Sequence, residues 1–458
     1  MHDSAQALRG KKLLLVGFTL FSMFFGAGNL IFPPFLGAQA GTALWSAFVG
    51  FAVSAIGLPI AGVAAVARAG GLPALAGRVH PRFAQVFAVL VYLSIGPCLA
   101  IPRTASTSFE MLTPLVGRST PGQFIYSLVF FAAAYFVALK PEKLTQRLGK
   151  ILCPALLALI LLLFAGCLLH PAAAGYGTPT TAYTALPAVQ GILDGYQTMD
   201  TLAGLNFGAV IALNIQALGV TEPREVERGP IRAGFLAAGL FAVVYAMLTH
   251  IGGIAGAAFP GCETGAETLT LLANALFGRV GQVLLAAIFI IACFNTCVGL
   301  ISGVSEYFHQ LWPKVPYTGW AAFFALTSML LSNIGLASIL ELSVPILNAI
   351  YPAAIVLIFL SFLPGRFQRC SVYSWAIGLA ALQSIPAALP FGPLSGFMNA
   401  LPLSGLGFGW LLPALIGIGA GLGIPAPITA GMIISGAYVG DKFSPLPANT
   451  LRRTDGSV

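Results

Sequence analysis

Long apolar stretches alternate with short polar connections along the whole chain. A bilayer core about 30 Å thick needs about 20 consecutive apolar residues in helical form, and twelve stretches approach or exceed this length. They cover residues 13–33, 44–67, 84–105, 122–140, 150–169, 186–218, 231–256, 280–302, 317–334, 338–362, 373–390 and 409–424. The pattern predicts an all-α integral membrane protein of about twelve transmembrane helices, which we call spans one to twelve.

The first span contains residues that weaken a helix near its middle. Gly26, Gly28 and Asn29 lie within the sequence LFSMFFGAGNLIFPPF. Each glycine costs a helix about 1 kcal/mol relative to alanine, and an asparagine is unfavourable at mid-membrane unless it has a partner. The span therefore either breaks here or uses its glycines for close helix packing.

The sixth span has the same character and also carries charge. Its sequence LDGYQTMDTLAGLNFG holds Asp194, Asp200 and Asn206. A carboxylate inside a span costs at least about 2.5 kcal/mol, so it indicates a functional site. The alternative is structural, because Thr198 or Asp200 could instead cap a new helix start.

The positions of the two breaks divide the first ten spans into two sets of five. The breaks lie about 170 residues apart, and with an odd number of spans in each set the second set enters the membrane from the opposite side. This predicts a five-plus-five inverted repeat with discontinuous helices 1 and 6, an arrangement typical of transporter sites. We place the transporter domain at 1–424, with a first repeat at 13–169, a second at 186–362, two additional helices at 373–424 and an atypical tail at 425–458.

The chemistry of two such breaks suits an amino acid. A broken helix exposes N–H groups at the start of one half and C=O groups at the end of the other. The N–H groups attract a carboxylate, and the C=O groups attract an ammonium group or Na⁺. The residues that we expect to contact substrate are Gly26, Ala27, Gly28, Asn29, Gly195, Tyr196, Thr198 and Asp200. The flanking residues are mainly apolar and neither break contains Lys or Arg, so the substrate is predicted to have an apolar side chain.

Two further polar groups lie within spans. Asn295 and Thr296 place side-chain oxygens in the middle of span eight, although a threonine there often bonds back to its own helix. Glu110, near the outer end of span three, either pairs with Arg103 or meets lipid headgroups.

Composition excludes a soluble protein and a nucleic-acid partner. Of the 458 residues, 58% are hydrophobic and 8% are charged, whereas a soluble domain carries about 25% charged residues. The net charge of +8 arises mainly from Lys and Arg in the amino-terminal tail and in every second loop. This positive-inside distribution predicts a multi-pass protein of the cytoplasmic (inner) membrane with a cytoplasmic amino terminus.

Four segments resemble the bacterial branched-chain amino acid carrier family, known as the BrnQ type. They are LFSMFFGAGNLIFPPFLG, IGPCLAIPRTASTSFE, DGYQTMDTLAGLNFG and GVTEPREVERGPIRAG. The family is regarded as sodium-coupled symporters of leucine, isoleucine and valine with the five-plus-five inverted-repeat fold. The resemblance implies Na⁺ as the coupling ion, and we expect no other cofactor and no obligate protein partner.

The segment GAGNLIFPP is also similar to the glycine–asparagine motif of neurotransmitter–sodium symporters. By that similarity, Asn29 would face one sodium ion. The backbone carbonyls of Ser22 and Phe25 would face a second ion, and Asn295 and Thr296 would close its site. Related sequences usually have two hydroxyl residues at the last two positions, so Asn295 is a departure.

Other functions compete with sodium symport. Asp200 or Glu110 could couple transport to protons, the chain could exchange amino acids, or it could be an amino acid sensor that does not transport. An intramembrane enzyme is disfavoured, because HExxH is absent and residues 436–441 read GAYVGD rather than GxGD. Residues 421–446 are similar to a short motif of NhaC-type sodium/proton antiporters, from which we infer no antiport activity.

Overall fold

The computed structural model describes residues 8–140, 145–220, 222–389 and 393–443. Within these ranges the chain is helical. The last part of the atypical tail, residues 444–458, lies outside the described residues, and so does the stretch 141–144 of the first repeat. The expectation of an all-α membrane protein is confirmed.

The described part of the first repeat consists of helices joined by short turns. They are α1 (Gly10–Phe24), α2 (Ala27–Ala40), α3 (Leu44–Ala52), α4 (Leu58–Ala69), α5 (Leu72–Gly77), α6 (Pro81–Leu93), α7 (Ala100–Glu110), α8 (Thr113–Val116), α9 (Thr120–Ala138) and α10 (Cys153–Leu169). Wider π-helical turns join α3 to α4, join α6 to α7 and precede α10.

The second repeat and the remaining chain continue in the same way. Their helices are α11 (Thr181–Thr184), α12 (Pro187–Tyr196), α13 (Asp200–Ala217), α14 (Pro223–Ala258), α15 (Gly265–Phe277), α16 (Arg279–Leu311), α17 (Tyr317–Ser332), α18 (Leu336–Phe362), α19 (Cys370–Ala388), α20 (Pro393–Asn399), α21 (Leu411–Gly421) and α22 (Ala426–Phe443).

The break in span one falls where the sequence predicts it. Helix α1 ends at Phe24, and Phe25 and Gly26 leave the helical conformation with φ/ψ of −72°/87° and −120°/−155°. The side-chain oxygen of Asn29 accepts the Gly26 N–H at 3.0 Å. This bond satisfies one of the N–H groups that the start of α2 leaves without a partner.

The break in span six separates α12 from α13, and their axes differ by 49°. Met199, just before α13, has a φ of 67°, a left-handed conformation that is unfavourable for a residue with a side chain. The hydroxyl of Thr198 accepts the Asp200 N–H at 3.4 Å. Of the two residues that could cap the start of α13, Thr198 therefore provides the hydrogen-bond acceptor. The Asp200 carboxylate makes other contacts.

The two broken spans run antiparallel and pack on corresponding partners. Lys12, near the start of α1, donates to the Leu218 carbonyl just beyond the end of α13, at 3.1 Å. At the opposite end the Thr180 N–H, before α12, donates to the Gln39 carbonyl of α2, at 2.9 Å. Span one packs on α14 of span seven, while span six packs on α3 and α4 of span two. The packing of span one on span seven thus corresponds to the packing of span six on span two. An inverted repeat requires this correspondence between the two sets of five spans.

The number of spans depends on how the bent helices are counted. In the described ranges, seven helices are long and apolar enough to cross a membrane, or up to nine when each of two bent pairs counts as one span. One continuous stretch, Ala27–Ala69, has 43 residues, twice the length that one span needs. Helices α1, α17 and α21 have only 15, 16 and 11 residues. The figure of about twelve spans stays a prediction.

The carboxyl-terminal helices lie beside the two repeats. Helix α19 packs on α18 and on α21, and the Ser371 hydroxyl of α19 donates to the Gly421 carbonyl at 2.9 Å. The described part of the tail forms α22, which packs on α21. The central part of the molecule is therefore built by the residues before α19.

Candidate substrate and cation site

The two breaks meet in the interior and enclose a small space, which we call the central cavity. It is lined by Phe24, Gly26, Ala27, Gly28, Asn29, Ile95, Ala100, Arg103, Thr104, Thr198, Met199, Asp200, Ala203, Thr296 and Leu300. Its volume of about 20 Å³ leaves room for about one water molecule. Spans one, three, six and eight thus contribute to one site, which contains six of the eight residues that we predict to contact substrate.

The other two residues, Gly195 and Tyr196, do not line the central cavity. A methyl group on Gly195 would come within 3.0 Å of the Phe51 carbonyl oxygen and 3.1 Å of the Ala55 nitrogen. Gly195 therefore allows span six to pack closely against span two. Tyr196, the last residue of α12, lines a separate cavity.

Two glycines of span one allow the broken segments to approach each other. A methyl group on Gly28 would lie 3.0 Å from an Arg103 guanidinium nitrogen and 3.2 Å from the Thr198 Cα. On Gly26 it would lie 2.7 Å from the Thr296 hydroxyl oxygen. The sequence allowed two interpretations of these glycines, a helix break or close packing. The structure shows both at the same positions.

A buried polar cluster ties span one to spans six and seven. The Asn29 side-chain nitrogen donates to the Asp200 carboxylate and, at 2.5 Å, to the Tyr245 hydroxyl. The Tyr245 hydroxyl also donates to Asp200 at 3.3 Å. All three side chains are at most 4% exposed. The Asp200 carboxylate thus connects the two breaks instead of capping its own helix.

Sequence reasoning missed Tyr245, although one signal was present. It is a single polar side chain in the apolar stretch LFAVVYAML. Its ring packs against Phe51 and Phe241, with centroid distances of 5.4 and 5.2 Å. A buried tyrosine hydroxyl usually finds a polar partner, so the residue could have been predicted to face a polar site.

Arg103 is a second residue of the site that sequence reasoning did not predict. Glu110 does not pair with it but with Arg118, at 3.0 Å. Arg103 is 6% exposed, and its guanidinium donates to the carbonyl oxygens of Gln197 and Thr198, both at 3.4 Å. A cation from span three therefore reaches the break of span six, where the sequence predicted none.

The residues proposed for the second sodium ion lie together beside the end of α1. The Asn295 side-chain nitrogen donates to the Ser22 hydroxyl at 2.6 Å. The Asn295 side-chain oxygen and the Thr296 hydroxyl oxygen are buried without a hydrogen-bond partner. Thr296 therefore does not bond back to its own helix, and Phe25 follows directly after the helix end that these oxygens adjoin.

Larger cavities lie on either side of the central cavity along span six. Tyr196 and Gln197 line a cavity of about 300 Å³, next to Tyr351. Gly208 and Gln216, farther along α13, line a cavity of about 910 Å³. Because Asp200 lies between these positions in the chain, the broken span leads from one cavity past the central cavity to the other.

Comparison with known protein families and sequences gives one consistent result. The family described as "Branched-chain amino acid transport protein" matches residues 9–426. The branched-chain amino acid permease BraB of Bacillus subtilis is 40% identical over 89% of this chain and 94% of its own length. The branched-chain amino acid transport system 2 carrier protein of Pseudomonas aeruginosa is 40% identical over 90% of this chain and 95% of its own.

Solved structures show the same fold at much lower identity. Mhp1, a nucleobase-cation-symport-1 family transporter in a closed conformation, aligns with a TM-score of 0.56 at 15% identity, over 93% of this chain and 97% of its own. MhsT in complex with L-phenylalanine aligns with a TM-score of 0.56 at 16% identity, over 93% and 99%. These similarities support the inverted-repeat transporter fold.

Proposed function

The chain belongs to the branched-chain amino acid transport protein family and is a transporter rather than an enzyme, and we propose that it imports leucine, isoleucine and valine together with Na⁺. The observation that carries this proposal is the meeting of two helix breaks around one buried cavity. Transporters bind substrate and coupling ion where such breaks face each other.

The lining of the central cavity favours a branched, apolar side chain. One part of it consists of the breaks and their polar groups, which suit the charged ends of an amino acid. The other part is apolar and includes Phe24, Ile95, Ala100 and Leu300. Each buried CH₂ contributes about 0.8 kcal/mol, which favours leucine, isoleucine and valine over alanine by roughly 1.5–2.5 kcal/mol, or on the order of tenfold to seventyfold. Discrimination among the three is expected to be weak.

Arg103 changes one step of the specificity argument. The sequence predicted that an acidic side chain would find no cation in the site, but Arg103 lines the cavity. Asp200 lines the same cavity and opposes an additional negative charge. A lysine side chain would in turn bring its charge beside Arg103 into a buried site, at a cost of several kcal/mol. We therefore expect neither lysine nor glutamate to compete with leucine.

Two unpaired oxygens support sodium as the coupling ion. A buried oxygen without a partner costs about 1–3 kcal/mol, and the Asn295 oxygen near Ser22 and the Thr296 oxygen near Gly26 are in this situation. A cation would satisfy both, and the carboxyl end of α1 adds the negative end of a helix dipole. The residues thus fit an alkali ion held by neutral oxygens, with the Ser22 and Phe25 carbonyls completing the ligands.

We propose that Asn29 binds the first sodium ion in addition to making its structural hydrogen bonds. Its side-chain oxygen already accepts the Gly26 N–H, and a carbonyl oxygen has a second lone pair for a cation. Its nitrogen is occupied by Asp200 and Tyr245. Loss of Asn29 would therefore affect both the ion and the connection between the breaks.

A proton is the second candidate for the coupling ion. Asp200 is a titratable side chain that is 4% exposed and lies at the break of span six, a position suited to proton transfer in transporters. Sodium-dependent uptake at constant pH favours the first candidate. Uptake that follows the pH gradient without sodium favours the second.

We also propose that the amino terminus lies in the cytoplasm and that the protein resides in the cytoplasmic (inner) membrane. The Lys and Arg distribution supports this orientation. One Na⁺ that enters along the membrane potential then supplies about 2.3 kcal/mol per 100 mV. This energy adds to the sodium concentration gradient and by itself suffices to concentrate an amino acid roughly fiftyfold at 100 mV.

Leucine counterflow in proteoliposomes tests the transport function. Purified protein is reconstituted into vesicles loaded with unlabelled leucine, and the entry of external tritiated leucine is followed. A carrier exchanges the two pools, so the label should accumulate transiently. A sensor that only binds leucine would give no accumulation above protein-free vesicles, and this result would contradict the proposal.

A further inference from the structure

A buried arginine lies between the two helix breaks. Arg103 is held by the backbone carbonyl oxygens of Gln197 and Thr198, and one of its nitrogens lies 3.0 Å from where a Gly28 methyl group would be. Among the described residues the ion pair within 4.0 Å joins Arg118 to Glu110. Arg103 therefore has no carboxylate at that distance, and its charge is stabilised by carbonyl dipoles and, from farther away, by the Asp200 carboxylate that lines the same cavity.

The carbonyl oxygens that hold Arg103 belong to the unwound segment of span six. A substrate ammonium group would be attracted to the same carbonyls, since they end a broken helix and carry partial negative charge. Asp200 lines the cavity a few residues farther along and strengthens this attraction. Arg103 thus occupies the place in the site that is best suited to a cation.

The central cavity is so small that the position of Arg103 affects substrate binding. With Arg103 in place, about 20 Å³ remain, which is room for about one water molecule. A branched-chain amino acid is much larger, so groups that line the cavity must move for the substrate to bind, and the Arg103 guanidinium occupies the carbonyl oxygens that attract the substrate ammonium group. Once displaced, the guanidinium still lies in a buried site, where a cation without a partner is strongly unfavourable.

We propose that Arg103 exchanges partners when substrate binds: the substrate ammonium takes over the carbonyl oxygens of Gln197 and Thr198, and the released guanidinium binds the substrate carboxylate. This inference rests on the proposed amino acid transport. It makes Arg103 a specificity-determining residue that requires both charges on one ligand. A ligand with only an ammonium group would leave the guanidinium unpaired, and a ligand with only a carboxylate would leave the carbonyls unpaired.

Wild-type protein allows a direct test with three ligands of similar shape. Binding of tritiated leucine to purified, full-length protein is measured at saturating sodium and competed with leucine, leucinol or 4-methylpentanoate. Leucinol lacks the carboxylate and 4-methylpentanoate lacks the ammonium group. Each is expected to compete about 10-fold to 100-fold more weakly than leucine, the range for loss of a charged hydrogen-bonded contact. Leucinol that competes within about twofold of leucine would overturn the inference.

The variant Arg103→Gln assigns the carboxylate preference to this side chain. Glutamine can still donate to the carbonyls but cannot pair with a carboxylate. Leucine should bind about 10-fold to 100-fold more weakly. Leucinol should bind as tightly as it does to the wild type or more tightly, because it no longer leaves a guanidinium unpaired, so the preference for leucine over leucinol should fall to about threefold or less. Arg103→Lys keeps the charge and should retain part of the preference. Arg118→Gln removes an exposed arginine and should leave both affinities unchanged.

The outcomes separate the inference from the function on which it rests. Absence of leucine binding to the wild type would contradict the proposed function itself. If leucine binds but Arg103→Gln keeps the wild-type preference for leucine over leucinol, another group binds the carboxylate, for example the start of α2. The inference is then wrong. Equal loss of leucine and leucinol would indicate a purely structural role and would also overturn it. If Arg103→Gln does not fold, Arg103→Lys keeps the inference testable: it should lower the preference for leucine over leucinol, and an unchanged preference in that variant would overturn the inference.

Discussion

Replacement of Asp200 tests whether its charge or merely its shape connects the two breaks. In the structure its carboxylate accepts bonds from the Asn29 nitrogen and the Tyr245 hydroxyl. A hydrogen bond to a charged group contributes about 1.5–3 kcal/mol and a neutral one about 0.5–1.5 kcal/mol. Asp200→Asn should therefore cost about 1–2 kcal/mol, or roughly fivefold to thirtyfold in leucine uptake. Asp200→Leu removes both bonds and should reduce uptake by at least about thirtyfold.

The assay is the initial rate of tritiated leucine uptake into proteoliposomes, normalised to the amount of inserted protein. Asp194 provides a matched control, because it is also a carboxylate in span six. It is half-buried and is bonded to Tyr183 and Gln190 rather than to span one. Asp194→Asn should change uptake by less than about threefold, because neither of its two bonds connects the helix breaks. Full activity of Asp200→Leu, or equal losses at the two aspartates, would refute this role of Asp200.

Three further predictions concern other parts of the site and the tail. Thr296→Ala should raise the sodium concentration for half-maximal uptake, whereas Thr327→Ala, on an exposed face of α17, should not. An unchanged sodium dependence of Thr296→Ala would contradict the second ion site. Tyr245→Phe should reduce uptake by roughly fivefold to thirtyfold through the loss of one or two buried hydrogen bonds. Tyr317→Phe should have little effect, because the Tyr317 hydroxyl bonds to a carbonyl far from the site. Equal effects of the two variants would show that Tyr245 contributes only to stability. Truncation after Gly423 removes only the tail and α22 and should leave the uptake rate per inserted protein nearly unchanged; complete loss would show that the tail contributes to the site.

The breaks could be predicted from the sequence because their causes are local. Gly26 and Asn29 disfavour a continuous helix wherever they occur in a membrane, and Asp200 is costly there without a partner. The spacing of the two breaks then determined the inverted repeat, which depends on the number of spans between them rather than on any contact. For this reason the fold could be predicted from the sequence, and six of the eight residues expected to contact substrate line the central cavity.

The partners of the polar groups could not be predicted, because they depend on distant contacts. Asn29 and Tyr245 are 216 residues apart in the chain, and Arg103 and Thr198 are 95 apart. Of the two alternatives for Glu110, pairing with Arg103 does not occur, because Arg103 is buried while Arg118 lies in an exposed connection nearby. Helix periodicity indicates which residues share a face, but not which neighbouring helix that face meets.

Leucine-driven entry of radioactive sodium tests the central claim most directly. Proteoliposomes are prepared with equal pH on both sides, a clamped membrane potential and labelled sodium outside, and leucine is then added. Sodium symport predicts that leucine starts sodium entry and that sodium and leucine enter in a fixed ratio. Isoleucine and valine should act in the same way, and lysine and glutamate should not. Leucine accumulation without any sodium entry, accompanied by proton uptake, would contradict the account.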